Sequence, residues 1–492
     1  MSNDKPNILW IGLDQMRWDT AGCYGNPVCQ TPNIDRLAQK GVRFSQAYTP
    51  CSLCSPSRAS MFTGRYAFRH GMLTNCDLYH YVAAELSEPN TLLHSRLLAA
   101  GYRCGFVGKW HVGTRKGPVD YGFEGMNVPG YGNIRREPDF LAYLEKRSLR
   151  YSIEPDVFAN PGEQTLLSGV WKGPTESTPA YYLAERTNEL IYEFARSNKP
   201  FFLTCQFWGP HEPHLPSSEY AGLHNRRRIG PWINFVDSWQ GKPERVRRTH
   251  TDFYRDLPQT WERWREVVGA YYDQTTMIDT QIGRILTRLE ELGLQENTVI
   301  ILTADHGDMT GSHGGMNDKG FLYEEAQRIP LIVVWPGGFS DGLQRNELVY
   351  NMDIFPTLLD LLGMRDDSLD GRSLIPYLGG SSSENTPRDA VYLEFHGIRF
   401  LYSQRGIVTK DGWKYIFTPG DRDELYDLNT DPGELCNLLA TSPTSEIWEK
   451  AIMLQEEMMQ LAVESEDPLQ VGINKFFGHW DRPSTQPEPS QL

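Results

Sequence analysis

Apolar and polar positions fall into two kinds of block along the chain. Short apolar-rich runs at PNILWIGLD (6–14), VRFSQAYT (42–49), YRCGFVGKWH (102–111), PFFLTCQFWGPH (200–211), TVIILTADHGD (298–308) and RIPLIVVWPG (328–337) predict buried strands. TPNIDRLAQKG (31–41), TLLHSRLLAAG (91–101) and TMIDTQIGRILTRLEELG (276–293) instead carry apolar residues at helical spacing and stop at glycine. In the first of these, Thr31 reads as N-cap and Pro32 as the first helical residue. Strands alternating with helices predict an α/β fold, a mostly parallel sheet flanked by helices.

The rhythm changes near residue 385. AVYLEFHG, RGIVTKDGWKYIF and ELYDL are shorter and alternating, Asp411-Gly412 marks a hairpin, and SEIWEKAIMLQEEMMQLAVES (445–465) is an amphipathic helix. The expected organisation is a catalytic domain over 1–384, a smaller α+β subdomain with an antiparallel sheet over 385–470, and a Pro-rich tail over 471–492.

Composition narrows the function. In 492 residues, 48 Lys and Arg face 63 Asp and Glu, a net charge of −15 that disfavours nucleic acid at long range. No run reaches the ~20 apolar residues of a membrane span, and NILWIGL is too short for a secretory h-region. A cytoplasmic protein with most of its eight cysteines as free thiols is expected. The aromatic NKFFGHW (474–480) leaves a homo-oligomer open. The stretch 225–265, with Arg226, Arg227, Arg228, Arg245, Arg247 and Arg248, reads equally as a solvated loop or a lip for an anionic substrate.

Chemistry collects beyond the predicted strands. One ends in Asp14-Gln15, another in Lys109-Trp110-His111, a third in His211-Glu212-Pro213-His214, a fourth in Asp305-His306-Gly307-Asp308. Ligands of open α/β sheets bind beyond the carboxyl ends of the strands, so these groups could share one edge. Asp14, Asp305 and His306 suit a divalent metal. CSLCSPSRAS (51–60) contains both C-x-x-C and, from Cys54, C-x-P-x-R. No second C-x-x-C exists for a zinc site, and no small βαβ domain surrounds the pair for a thioredoxin-like reading. With Ser55 as cap and Pro56 as first helical residue, Cys54 would stand at a helix N-terminus, which favours an anion, and Arg58 one turn in could clamp it.

These blocks, with TPNIDRLAQKGVRF, CSPSRASMFTGRY, PHEP, TADHGDMTGSHG, KGFLYEEAQRIPLIV, DIFPTLLDLLG, DGRSL and ELYDLNTDPGELCNL, resemble the type I sulfatases of the alkaline-phosphatase superfamily nearly end to end. The resemblance implies that Cys54 is oxidised to formylglycine by a maturation enzyme, leaving Cys51 a bystander. It implies a gem-diol nucleophile on a divalent metal, calcium first and manganese second, held by Asp14, Gln15, Cys54, Asp305 and His306. His211 then protonates the leaving alcohol, His111 is the second-step base, and Arg58, Lys109 and Lys319 hold the sulfate. Two departures are Gln15, where many relatives have Asp, and His306, where many have Asn. They make phosphonate monoester hydrolases and phosphodiesterases of the same superfamily the alternative, against which GKWHVG speaks. A catalytically dead scaffold is disfavoured because no key residue is lost. His214, His313 and Asn317 are expected to bind a sugar or other polar alcohol, with aryl sulfates as artificial substrates.

Overall fold

A computed structural model describes residues 5–78, 83–87, 90–160, 165–253, 257–336, 342–379, 387–398, 402–440 and 442–470. The expected tail lies outside them. In chain order the strands are β1 (Asn7–Asp14), β2 (Val42–Tyr48), β3 (Arg103–Gly108), β4 (Glu124–Gly125), β5 (Ser152–Asn160), β6 (Thr165–Lys172), β7 (Phe201–Pro210), β8 (Thr298–Ala304), β9 (Leu331–Val334), β10 (Leu343–Tyr350), β11 (Ala390–Phe395), β12 (Gln404–Thr409), β13 (Trp413–Phe417) and β14 (Glu424–Asp427).

The large sheet has the order β10-β2-β9-β8-β1-β7-β3-β4. All its strands run the same way except β9, which is antiparallel to β2 and β8. The four strands expected to carry the chemistry are consecutive neighbours at its centre, in the order β8-β1-β7-β3. β1 and β8 are buried along their whole length, as strands covered on both faces must be. On one side Trp10 of β1 packs on Phe62 of the helix Cys54–Thr63 with ring centroids 5.1 Å apart. On the other, Phe194 of the helix Pro179–Ala195 packs on Phe201 of β7 at 5.9 Å.

The expected helix at 276–293 is the C-terminal part of a 31-residue helix, Trp261–Glu291. Its first half reads poorly as amphipathic because it is buried nearly all round: Trp264, Val267, Gly269, Tyr271, Asp273 and Gln274 are all inside. Asp279 of this helix accepts hydrogen bonds from the amides of Asn33 and Ile34, and so caps the helix Pro32–Lys40 from outside. Thr31 occupies the N-cap position but turns its hydroxyl to Asp35. The β5–β6 hairpin is absent from the pattern reading, because Pro155 and three ladder shifts interrupt its alternation.

β11–β14 form the antiparallel sheet expected of the C-terminal part, with Gly412 in the left-handed region between β12 and β13 at φ 86°. Its apolar face joins Tyr48, Leu53, Met309, Met316 and Phe321 from the first part of the chain in one core. Behind it, Arg405 of β12 grips Asp467 through Nε at 2.5 Å and Nη2 at 3.1 Å, both side chains almost unexposed. Burial would raise the Asp467 carboxyl, but the Arg405 bonds and charge outweigh it and hold the group below its ordinary value. Asp467→Ala leaves that guanidinium unpaired and should cost about 3–5 kcal/mol in urea denaturation, whereas the double change Arg405→Met/Asp467→Leu should cost clearly less.

Candidate active site

The site is assembled by backbone ties between neighbouring strand ends. The ladder between β1 and β7 shifts after Leu13, so that Asp14 sits beside Pro210 and its carbonyl accepts from His211 N at 3.1 Å. Asp305 N donates to Leu13 O at 3.2 Å, and Lys109 N to Gln206 O at 3.0 Å. Gly108 just before Lys109 has φ 102°, and a Cβ there would meet Gln206 O at 2.0 Å, so only glycine lets the chain turn into the site.

Cys54 opens the helix Cys54–Thr63 with Leu53 as N-cap. The expected cap, Ser55, is already helical. Its hydroxyl donates to His111 O at 2.6 Å, tying the helix to the β3 end instead of capping it. Cys54 Sγ lies 3.2 Å from His306 Nε2, 3.6 Å from Lys109 Nζ and 3.9 Å from Asp14 Oδ1. Ligand atoms of Asp14, Cys54, Asp305 and His306 all fall within 4.8 Å of one another, and all four residues are buried. His306 Nδ1 sits 2.8 Å from Gly307 O, which can only accept, so the proton is on Nδ1 and the Nε2 lone pair faces the cluster. Burial keeps this imidazole below its ordinary pKa and therefore neutral. Two carboxylates, a neutral imidazole nitrogen and residue 54 converge without exposure, a donor set that fits one divalent cation.

Gln15 stands apart from that set. Its Oε1 accepts from Lys319 Nζ at 2.5 Å, and its Nε2 donates to Glu212 and Asp308, each at 2.7 Å. With the amide oxygen occupied by Lys319, the expected extra ligand serves as a bridge between the cluster's edge and the lysine. Its left-handed φ of 64° aims the side chain there.

Arg58 is placed differently from the expected sulfate clamp. It is wholly buried, with Nε on Asp305 Oδ2 at 2.9 Å, Nη1 on Lys109 O at 2.8 Å and Nη2 3.8 Å from Asp14 Oδ1. One helical turn carries it beneath Cys54, where it neutralises the carboxylates. Only Nη2 lacks a hydrogen-bond partner. Lys109 Nζ reaches Asp14 Oδ2 at 2.5 Å. Burial pushes the Asp14 carboxyl up, yet Lys109, His211, Arg58 and Lys319 together hold it well below its ordinary value.

Lys319 Nζ bonds His211 Nε2 at 2.8 Å and Asp318 at 2.9 Å. Burial first, then Lys319, push His211 well below the ordinary imidazole value. Its Nδ1 donates to Glu212 O at 2.7 Å. His111 is turned into the site at φ 56°; its Nε2 pairs with Asp77 at 3.0 Å and its Nδ1 is buried without a partner.

Of the three residues expected to bind the alcohol, His313 is a correction. Its ring lies between Asp237 (Nδ1 at 2.9 Å) and Glu325 (Nε2 at 3.5 Å) and stacks on Tyr323 at 4.2 Å. Burial and Lys242 oppose its charge, but Glu325 and Asp237 prevail and raise its pKa. Held between two carboxylates, the ring anchors its loop, turned there by a φ of 50°. His214 is sealed beneath the site with Nδ1 on Pro210 O at 2.9 Å and its ring edge-on to Tyr271. Asn317 is buried near Lys319, and its Nδ2 has no partner. In the basic stretch, Arg226 pairs with Asp273, and Arg247 and Arg248 both pair with Glu244, which speaks against the anion-lip reading for these three.

The sequence reading missed Asp77, Tyr131, Trp208 and Gln206. Tyr131 stands edge-on to His111 at 5.2 Å and to Trp208 at 4.7 Å, and its hydroxyl is 3.3 Å from His211 Nε2. Lys109 Nζ lies over the Trp208 ring at 4.5 Å. Tyr131 is flanked by Gly130 and Gly132, both left-handed, so PGYGN was the available signal of a tight loop close to other backbone.

Cys54, two lysines, two histidines and a carboxylate–imidazole cluster meet at one end of the sheet, an arrangement suited to an anionic ester. A family model described as "Sulfatase" matches residues 6–364, and one described as "N-sulphoglucosamine sulphohydrolase, C-terminal" matches 311–464. Arylsulfatase A of Homo sapiens is 30% identical, over 93% of this chain and 88% of its own. The N-acetylglucosamine-6-O-sulfatase of Bacteroides thetaiotaomicron is 25% identical, over 94% of this chain and 86% of its own. The phosphonate monoester hydrolase of Agrobacterium radiobacter has the same fold, with TM-score 0.76 at 24% identity over 94% of this chain and 96% of its own. The chain belongs to the sulfatase family, the sulfuric ester hydrolases.

The electrostatics give a direct test. Arg58→Leu removes the cation between two buried carboxylates and should destabilise metal-free protein by about 3–5 kcal/mol. Added divalent cation should restore a large part of the loss, and the restoration should grow with its concentration in thermal melts. Equal destabilisation with and without the cation would show that the carboxylates do not receive it.

Proposed function

We propose that the protein hydrolyses a sulfate monoester of a sugar or similarly polar alcohol, with residue 54 matured to formylglycine. The observation that carries this reading is Cys54 at a helix start, 3.2 Å from a neutral His306 nitrogen and flanked by Lys109. Asp14, Asp305, His306 and residue 54 would hold one divalent ion, calcium by family habit and manganese second because of the imidazole. When present, the ion and the hydrated aldehyde supply a hydroxyl nucleophile ionised near neutral pH.

The chain's own groups do the rest. Lys109, 3.6 Å from Cys54 Sγ, and Lys319, bonded to His211, can take the sulfate oxygens as charge develops. Arg58 holds Asp305 and Asp14 in place. His211 carries the proton to the departing alcohol oxygen. Burial and Lys319 hold its pKa down, and an anionic ester beside it opposes that field and favours the protonated ring. His111, oriented by Asp77, is the base that removes the second proton, so that sulfate leaves and the aldehyde returns.

The maturation enzyme is the one macromolecular partner this reading requires. The eight cysteines are all free, six of them buried, which supports a reducing, cytoplasmic setting. No helix among the described residues is long and apolar enough to cross a membrane. A phosphonate monoester hydrolase is the second reading, favoured by His306 among the metal-facing residues.

Peptide mass analysis after co-expression with a maturation enzyme should show conversion at Cys54 alone. Cys54→Ala should abolish turnover and Cys51→Ala spare it; an essential Cys51 with a dispensable Cys54 would return the thiol pair to consideration. On converted enzyme, kcat/KM is to be measured across sulfate monoesters, phosphate diesters and phosphonates. Preference for either of the last two over every sulfate would replace the sulfatase reading with the second one. His211→Ala should lower kcat/KM for alkyl or sugar sulfates by about 100-fold or more, and for 4-nitrophenyl sulfate by about 10-fold or less, since nitrophenolate leaves without a proton.

A further inference from the structure

Next to the catalytic groups is a cavity of about 50 Å³ with mostly apolar walls, among them Trp171, Leu183, Phe207, Trp208 and Met277, with Asn133 and Gln274 as polar members. Arg135 also lines it. Arg135 is partly buried, and burial holds its guanidinium below the ordinary arginine value. The ionisable groups that act on it most are Tyr151, Arg136 and Tyr131, none a carboxylate. Among the described residues its one side-chain neighbour in hydrogen-bonding range is Asn133 Oδ1, 3.5 Å from Nε. The four arginines buried most deeply are matched by carboxylates: Arg17 with Asp19, Arg58 with Asp305, Arg388 with Asp353, Arg405 with Asp467. Among the described residues no carboxylate pairs with Arg135, and a cation partly buried against mostly apolar walls favours an anion beside it.

The loop that holds Arg135 also builds the mouth of the catalytic site. Asn133 Oδ1 accepts from Arg135 N at 3.2 Å and opens the short turn Ile134–Arg136. One residue before, a Cβ on Gly132 would stand 3.4 Å from Lys109 Cγ, so the loop lies directly against the lysine. Tyr131, 37% exposed, touches His211 through its hydroxyl. Trp208 is common to both spaces: Lys109 Nζ sits over its ring, and it forms part of the cavity wall with Arg135.

We infer that this cavity is a second anion subsite, in which Arg135 receives a carboxylate or a second sulfate carried by the alcohol part of the substrate. The inference rests on the sulfate-ester reading above. A cavity of this volume holds a few waters and therefore one such group, not a sugar ring. The charge-assisted bond it offers discriminates strongly, because a neutral alcohol leaves the arginine unpaired.

The test compares benzyl sulfate, 4-carboxybenzyl sulfate and 4-sulfobenzyl sulfate on wild type, Arg135→Gln and Arg136→Gln. Wild type should prefer at least one anionic ester by about 10-fold or more in kcat/KM, the scale of one charge-assisted contact. Arg135→Gln should erase that preference and keep benzyl sulfate within about twofold; Arg136→Gln, next door and exposed, should change neither. The carboxylate and sulfonate arms decide which anion is taken. Equal rates for neutral and anionic esters on wild type, or an equal loss on all three in Arg135→Gln, overturn the subsite. The same alcohols offered as phenylphosphonate esters separate the two readings: turnover of these alone overturns the sulfatase assignment while the charge preference still judges Arg135. Binding of 4-carboxybenzyl alcohol against benzyl alcohol, followed by tryptophan fluorescence, judges it without turnover. Tighter binding of the anion that Arg135→Gln abolishes supports the subsite, and equal binding overturns it.

Discussion

Two carboxylates, Asp14 and Asp305, are held side by side with essentially no exposure, and the rest of the site follows from that constraint. Like charges out of water repel strongly, so the fold must bring cations to them. Arg58 comes from one helical turn below Cys54, Lys109 from the neighbouring β3 end. Both are themselves too buried to be stable unpaired. The cluster is therefore mutually enforced, and with the ligand atoms of Cys54 and His306 it forms a donor set that fits a further cation. The strand order β8-β1-β7-β3 brings these groups to one edge, and the ladder shift at Asp14 seats His211 against them.

Lys319 reaches this edge from a long loop, and its position depends on groups far from the chemistry. His313 in the same loop is clamped by Asp237 and Glu325, while Gly314 N donates to Asn234 O at 3.2 Å. Lys242 links onward to Tyr426 Oη and Glu434 O, and Lys414 of β13 bonds Glu324 and Glu434. Through this buried polar network the C-terminal sheet and the stretch around 234–242 become the rigid backing of the loop. Such a network needs every partner present, since a single loss leaves an unpaired charge in a low-dielectric interior. The antiparallel sheet is thus part of the active-site scaffold, and its core is continuous with Phe321–Tyr323 just after the lysine.

The sequence by itself was sufficient for the parts that depend on local pattern. Continuous apolar runs gave β1, β7 and β8, and helical spacing gave Pro32–Lys40 and Ser445–Glu464, because burial on two faces or one leaves a direct trace in residue order. The chemical residues at strand ends were legible for the same reason: each directly follows a run whose direction in the sheet is set by its connections. Cys54, Lys109, His111, His211, Asp305, His306 and Lys319 were named on that basis and on motif resemblance, and the fold brings them together. What only the tertiary structure decided is which partner each polar group takes. Arg58 turned to the carboxylates, Gln15 to Lys319, and His313 to Asp237, because buried polar groups are satisfied by whatever lies nearest in space, often 200–300 residues away in sequence. For Tyr131 the glycines on either side mark a tight loop but not what it packs on, and Arg135 carries no local signature, since their surroundings come from Trp208, Lys109 and the long helix, contacts that exist only after the chain has folded.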